Sequence, residues 1–510
     1  MDAREAPAGK LARFTFYPPE AYRKKPDEYR LLPFRFTRFN SDKYLLVNEA
    51  GEFIFLGRAS FRRFTAHELH FQDVDYDALK TKHFLWDDTA SPLLDILATK
   101  YRTKKSFLRG FTKLHLFVVT LRCDHSCLYC QVSRQREDRG AFDMTPATAK
   151  RAVDLMMRSP APAITMEFQG GEPLLNFDLI RFLVDYSEAQ NARVGKQIDR
   201  VITTNLSRIT PEILNYCREH KILLSTSLDG PEWLHNANRP KRGDDSYALV
   251  VRNMETASAA LGREAVAALM TTTRRSLSHV RDIIDEYVAR GFGSIFLRSI
   301  SPYGFAVRTK GSTGYLTPEF LDFYREGLRY IIDLNRKGIR LTEGYAKIIL
   351  TKILTPFPTG FTDLQSPAAT GIGAVVYNYD GDVYASDESR MLAEMNDKTF
   401  RLGSMHENSY DELFRGEDLR SLIRASVNES LPGCSDCAYQ LYCGADPVFH
   451  HATQGDPVGH RPTSAFCQKN MAIITELFRY IESDDREVMR IFWSWITDHT
   501  LGEPEECLLP

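Results

Sequence analysis

The sequence contains no uninterrupted apolar run near the length of a membrane span, so no bilayer-crossing helix is expected. Nothing in its opening "MDAREAPAGKLARFTF" resembles the apolar core of a signal peptide, and the expected setting is the cytoplasm. A charge excess is missing too: 65 Lys and Arg against 67 Asp and Glu leave a formal −2. That balance gives no global attraction to nucleic acid or to a membrane surface, and neither is expected as a partner. Cysteine is sparse, nine in 510 residues, yet most of it is clustered. In a cytoplasmic chain such clusters read as metal ligands more readily than as disulfides. The length and a 43% hydrophobic content support substantial cores and about three domains.

Cys123, Cys127 and Cys130 in "TLRCDHSCLYCQVS" form a CxxxCxxC motif. A [4Fe-4S] cluster normally takes four thiolates, so three leave one iron open to another ligand. By spacing alone, a three-cysteine zinc site or three unrelated thiols remain alternatives. From about Lys113 the chain alternates strands and helices, an α/β pattern. Strand candidates are 114–121, 163–168, 200–205, 222–229, 266–272 and 294–300, with helical patterns such as "TPATAKRAVDLMMRS" and "SLSHVRDIIDEYVARG" between them. Right-handed crossovers would curl six parallel strands into a barrel or part of one. The cysteine loop then follows the first strand, at the carboxyl end where such barrels place catalytic groups. After the second strand, Gly170 and Gly171 of "GGEP" permit close backbone approach and Glu172 offers an acceptor.

Two further regions stand out. Lys43 to Gly57 reads as two strands around an Asn-Glu-Ala-Gly turn, followed by short helices, a small winged-helix-like module or a structural cap. Near the other end Cys434, Cys437, Cys443 and Cys467 are spaced as CxxC, five residues, C, then C, which a zinc ribbon would also satisfy. His450, His451 and His460 lie among them and read as supporting residues; Cys217 reads as core and Cys507 as part of a tail.

CxxxCxxC with an aromatic, Tyr129, before its last cysteine resembles the signature of radical S-adenosylmethionine (SAM) enzymes, and the likeness spans roughly residues 112–305. The resemblance implies a partial (β/α)6 barrel, a [4Fe-4S] cluster on Cys123, Cys127 and Cys130, and SAM on the open iron, cleaved to a 5′-deoxyadenosyl radical. It implies Tyr129, Gly170, Gly171, Glu172, Ser227 and Arg239 as SAM-binding residues, the last two through "SLDGPEWLHNANR", where Asn236 replaces the usual Asp. Asn205 and Arg298 would face the same cavity mouth. The C-terminal cysteines resemble the SPASM or twitch extension, and "TGIGAVVYNYDGDVYASDESR" resembles its upstream half without thiols, Thr370 and Ser386 standing near vacated positions. The expectation is therefore one auxiliary [4Fe-4S] cluster on Cys434, Cys437, Cys443 and Cys467, with Asp387 as a candidate catalytic base.

The start "LPFRF", "YLLVNEAGEFIFL", "RCDHSCLYCQVSRQ" and "YCGADPV" with "GHRPTSAFC" resemble the radical SAM maturases of the His-Xaa-Ser peptide system. That implies a ribosomally made precursor peptide as substrate, a second radical SAM maturase beside it, and a reductant such as flavodoxin or ferredoxin. The expected division is a peptide-recognition-like module over 1–110, the radical SAM core over 111–310, and a bridging region with the degenerate half of the extension over 311–400. The auxiliary-cluster domain would span 401–475 and a C-terminal helix and tail 476–510. An enzyme acting on a small metabolite and a noncatalytic iron-sulfur scaffold are the competing readings.

Overall fold

Alternating apolar positions over residues 34–57 build an antiparallel sheet of β1 (Phe34–Arg38), β2 (Lys43–Asn48) and β3 (Phe53–Gly57), with β2 central. The structure, a computed structural model, describes residues 29–87, 91–136 and 138–499, so Cys507 lies outside it. Asn48 holds the turn between β2 and β3, its side-chain oxygen accepting from the N–H groups of Ala50 (2.9 Å) and Glu52 (3.0 Å). Helices α1 (Arg58–Thr65), α2 (Val74–Thr81) and α3 (Ser91–Lys104) follow. Leu46, Ile54 and Leu56 pack with Phe64, Leu79 and Phe84 into one core. Contacts divide the chain into two units, Met1–Lys104 and Lys105–Pro510.

The second unit is built on β4 (Leu114–Thr120), β5 (Ala163–Gly170), β6 (Gln197–Thr203), β7 (Ile222–Ser227) and β8 (Val266–Leu269). Neighbours in this series pair in parallel. β4 is buried from His115 to Thr120, as expected of a strand covered on both faces. The crossover helices include α4 (Pro146–Met157), α5 (Phe177–Val194), α6 (Pro211–Glu219), α7 (Glu232–Asn238), α8 (Ser246–Leu261) and α9 (Val280–Ala289). Thr145 and Thr210 cap α4 and α6 ahead of prolines, and Cys217 on α6 is fully buried.

The expected sixth strand does not join this sheet. Only Ser294–Ile295 is strand, and it pairs with Thr342–Glu343. Beyond it the Leu297 N–H donates to Glu343 Oε1 (3.1 Å) and the Ile300 N–H to the Tyr315 hydroxyl (2.7 Å), while the Arg298 carbonyl keeps one backbone bond, from the Thr272 N–H just past β8 (2.9 Å). A strand signal reports apolar alternation, whereas pairing needs a neighbour with open donors and acceptors. The place beside β4 is taken by a later segment.

After α10 (Thr317–Arg336) and α11 (Gly344–Leu354), β9 (Ala374–Tyr377) pairs in parallel with β4. Next, β10 (Asp382–Tyr384) and β11 (Arg401–Ser404) extend the sheet antiparallel, giving eight strands in the order β8-β7-β6-β5-β4-β9-β10-β11. Leu116, Val118, Val376 and Tyr384 form a shared core along this join. The chain continues through α12 (Asp387–Ala393), α13 (Pro447–Gln454), α14 (Ala465–Glu482) and α15 (Arg486–Thr497), with α10 and α11 packed on α14 and α15. Among the described residues no helix is long and apolar enough to cross a membrane.

Candidate functional site

β4 ends at Thr120 and the chain turns at once into the cysteine loop. Buried Arg122 anchors the turn, donating to both carboxylate oxygens of Asp143 (2.7 and 2.8 Å) and to the Leu175 carbonyl (2.9 Å). Further along, the Ser126 and Leu128 N–H groups donate to the Pro240 and Asn238 carbonyls (2.8 and 3.0 Å). From a third direction the Phe305 N–H donates to the Cys130 carbonyl (2.7 Å) and the Thr309 hydroxyl to the Leu128 carbonyl (2.8 Å). Gly304 makes that approach possible: a Cβ there would stand 2.5 Å from the Gln131 carbonyl oxygen. Two segments distant in sequence thus pin the loop through hydrogen bonds, a preorganised frame for its side chains.

Cys123, Cys127 and Cys130 are half-buried on this loop, none in a disulfide, and near enough to one another that their thiolates would repel. Burial pushes the Cys127 thiol up to about 11 and also raises Cys123. Both therefore hold their protons at neutral pH, and a metal centre would displace them.

Gly170 and Gly171 were expected to admit a ligand; the structure shows what their missing side chains make room for. A Cβ on Gly170, whose φ is 153°, would stand 1.9 Å from the Thr120 carbonyl oxygen, and one on Gly171 2.4 Å from that of Arg122. The glycines let the end of β5 lie against the start of the cysteine loop. Glu172 is fully buried, and its carboxylate accepts from the Leu174 N–H (3.0 Å), the Thr204 hydroxyl (2.6 Å) and the Asn205 N–H (2.8 Å). Burial pushes it up to about 7 against those hydrogen bonds. Asn205 in turn donates to Asp124 in the cysteine loop (3.1 Å), tying the second and third strand ends to the first.

Tyr129 and Arg239 meet through a residue that sequence reasoning passed over. The Tyr129 hydroxyl donates to buried Asp229 (2.8 Å), and Arg239 Nη1 donates to the same hydroxyl oxygen (2.6 Å). Arg239 also stands close enough to Cys127 to favour its thiolate. Asp229 belongs to the quoted "SLDGP", so that motif was the available signal. Ser227 is the last residue of β7 and half-buried. Asn236 receives the Tyr247 N–H (2.8 Å) and donates to Asp245 (2.8 Å), bracing the start of α8. Arg239→Met, which leaves Asp229 buried without its cation, is expected to cost about 3 kcal/mol, while Tyr129→Phe costs about 1–2 kcal/mol, read from denaturant unfolding.

The second cysteine group also assembles. Cys434, Cys437 and Cys443 lie on a turn-rich segment and Cys467 in the first turn of α14, with Cys443 in electrostatic reach of Cys437 and Cys467, and Cys467 of Cys434. Arg461, 5% exposed, lowers the cost of charge on Cys434 and Cys467, yet its Nε and Nη2 have no hydrogen-bond partner. Orphaned cationic donors beside four thiols fit an anionic centre there. Among the described residues no three His, Cys, Asp or Glu side chains converge as ligands of a single metal ion. His450 is fully buried and bridges the Asp446 carbonyl (2.6 Å) and the Ser464 hydroxyl (2.8 Å). His451 meets Asp397 (2.8 Å) and His460 meets Thr463 (2.9 Å).

Within the same unit, Leu114 and Leu116 of β4 and Glu167 and Gln169 of β5 line a cavity of about 530 Å³. Thr370, Ser386 and Asp387 line it too, as does Arg298. Ser386 caps α12, accepting from the Ser389 N–H (3.2 Å), so a position expected to be vacated by a thiol works as a helix cap. Wholly buried Arg390 donates to Asp387 (3.0 Å) and to the Val132 carbonyl (3.1 Å), joining the candidate base to the end of the cysteine loop. Arg390 closes the quoted "TGIGAVVYNYDGDVYASDESR", so that segment was the available signal.

Residues 117–287 match the radical SAM superfamily model. They form a radical SAM domain. The chain is 24% identical over 336 residues to a cysteine-type anaerobic sulfatase-maturating enzyme of Clostridium perfringens, covering 63% of this chain and 84% of that enzyme. An uncharacterized protein of Methanocaldococcus jannaschii is 30% identical over 193 residues, 37% of this chain; the match spans 63% of that relative's length. Among solved structures, anSMEcpe with bound AdoMet aligns at TM-score 0.61 and 18% identity, over 76% of this chain and 98% of that one. Streptococcus suis SuiB bound to its precursor peptide SuiA aligns at 0.52 and 14%, over 86% and 100%. These structures share the fold of the radical SAM domain and of the strands added beside β4.

Proposed function

We propose that this protein is a peptide-modifying radical SAM enzyme acting on a ribosomally synthesised precursor, one with His-Xaa-Ser repeats. The observation that carries it is the pinned loop of three thiols at the carboxyl end of β4, joined through Arg390 to an acid in a substrate-sized cavity. Cys123, Cys127 and Cys130 would hold a [4Fe-4S] cluster. Cluster and SAM together supply, when bound, a 5′-deoxyadenosyl radical that takes hydrogen from the substrate. Arg239 and Ser227 would meet the SAM carboxylate, with Tyr129 orienting Arg239. Gly170, Gly171 and Glu172 would meet the amino group, Glu172 mainly by fixing the backbone, since its carboxylate already accepts three hydrogen bonds.

Asp387, oriented by Arg390, is the proposed proton acceptor from the oxidised substrate. Asp387→Asn is expected to lower product formation about 100-fold while SAM cleavage persists. Product at the wild-type rate would remove Asp387 from the mechanism. Cys434, Cys437, Cys443 and Cys467 would hold an auxiliary [4Fe-4S] cluster that, fully ligated, passes electrons or braces the domain.

The peptide reading rests on kinship with sulfatase maturases and on the likeness to SuiB, which was solved with a precursor peptide. β1 and β3 are the outer strands of the three-stranded sheet among the described residues, and addition of a leader-peptide strand along that sheet is the role proposed for residues 1–110. Residues 111–310 would then be the radical SAM core, 311–400 the bridge, 401–475 the auxiliary-cluster domain and 476–510 the closing helix and tail. A second radical SAM maturase and a flavodoxin or ferredoxin would complete the system in the cytoplasm. The test is anaerobic incubation of reduced, iron-loaded protein with SAM and a His-Xaa-Ser precursor. Formation of 5′-deoxyadenosine with a mass change in the peptide is expected; absence of both overturns the reading.

A further inference from the structure

The cavity is lined by five carboxyls, Glu167, Asp363, Asp387, Glu388 and Asp446, against two cations, Arg298 and Lys469. Most of these charges are already engaged. Asp387 is answered by Arg390 (3.0 Å), and Glu167 accepts from Gln169 and Thr203 (both 2.8 Å). The Lys469 ammonium is 3.3 Å from the Ser299 hydroxyl and lies near the Tyr345 and Phe466 rings.

One corner is answered only in part: Lys469 acts on Asp363 and Asp446 but is not among the charges acting on Glu388. The charged groups acting on Glu388 are Asp363, Asp387 and Asp446, all acidic. Burial and those neighbours together push its carboxyl up. Tyr303, 1% exposed, lines the same cavity and is acted on by Asp446, Glu388 and Asp363. Its hydroxyl has no hydrogen-bond partner. A buried hydroxyl left unmatched among carboxyls is costly in the free protein and is repaid by a ligand that donates hydrogen bonds.

We infer that Glu388, Asp446, Asp363 and the Tyr303 hydroxyl form a subsite for a positively charged substrate side chain, an ammonium or guanidinium. The inference rests on the reading that the cavity takes a peptide. A cation placed here gains charge-assisted hydrogen bonds in a poorly screened site, and its N–H groups meet the lone pairs of the Tyr303 hydroxyl. The position is apt for selection: Glu388 directly follows the proposed base, so a side chain held there sets which neighbouring atom Asp387 can reach.

The experiment measures binding of Ala-Ala-Xaa-Ala-Ala peptides, with Xaa Lys, Arg or Gln, to anaerobic iron-loaded protein at pH 8.5, above the raised range of the Glu388 carboxyl. At least one cationic peptide is expected to bind about 10-fold tighter than the Gln peptide, with the advantage shrinking as salt rises. Glu388→Gln combined with Asp446→Asn should erase that advantage. Tyr303→Phe should raise the unfolding midpoint, because it removes an unmatched buried hydroxyl, yet reduce the advantage about threefold. Equal affinity for the Gln and cationic peptides, or an advantage that survives in both variants, overturns the subsite. SAM cleavage measured on the same samples keeps the two readings apart, since its presence alongside failed selectivity rejects only the subsite.

Discussion

Replacing Cys123, Cys127 and Cys130 together by alanine is expected to abolish SAM cleavage and to lower iron from about eight to about four per chain, without zinc. All three thiols leave a loop whose shape is set elsewhere, by the Asn238 and Pro240 carbonyls and by the segment from Gly304 to Thr309. Folding should therefore survive, and the loss can be assigned to the ligands. The surviving irons would belong to Cys434, Cys437, Cys443 and Cys467. The complementary result, about four irons falling to near zero with zinc retained, would make the C-terminal group a structural zinc site and remove the electron-transfer role proposed for it. Iron, sulfide and zinc analysis of both proteins separates these outcomes.

Gly170→Ala is expected to destabilise the second unit by about 3–5 kcal/mol, well beyond an ordinary glycine substitution. Two effects add. The backbone sits at φ 153°, where a Cβ is strained, and that Cβ would fall 1.9 Å from the Thr120 carbonyl oxygen. Relief requires separating β5 from the strand end that launches the cysteine loop, so iron retention should fall along with stability. Gly195→Ala is the control: Gly195 closes α5 at φ 73° with nothing within 4 Å of its added Cβ, and a loss of about 1 kcal/mol is expected there. Equal unfolding shifts for the two variants would show that the close approach at Gly170 does not matter.

Most of the parallel strands were legible because each is a short apolar run bounded by turn residues, and β4 to β8 lie where such runs occur. The run ending at Ile300 was misread for a definite reason: its alternation matched a strand, but Glu343 and Tyr315 take its N–H groups. "AVVYNYDGDVY" is read as part of an extension only by its likeness to a family pattern, and nothing local announces that β9 pairs with β4. Pairing partners are a long-range property, and register follows only once both faces of the sheet are covered.

The candidate site divides in the same way. Spacing along the chain by itself singled out Cys123, Cys127 and Cys130, and Cys434, Cys437 and Cys443, since residues a few positions apart are brought together by a single loop, whereas Cys467 joins its group only through the packing of α14. It also placed "GGEP" and "SLDGP" at strand ends, where a barrel collects its functional groups. Only the tertiary structure decided the rest. Asp229 becomes the link between Tyr129 and Arg239, Arg390 reaches from α12 to Val132, and Glu388, Asp446 and Tyr303 converge on one cavity from three separate segments. Each of these side chains meets partners far away in sequence, and the low dielectric and proximity that its proposed role needs exist only after distant segments have packed.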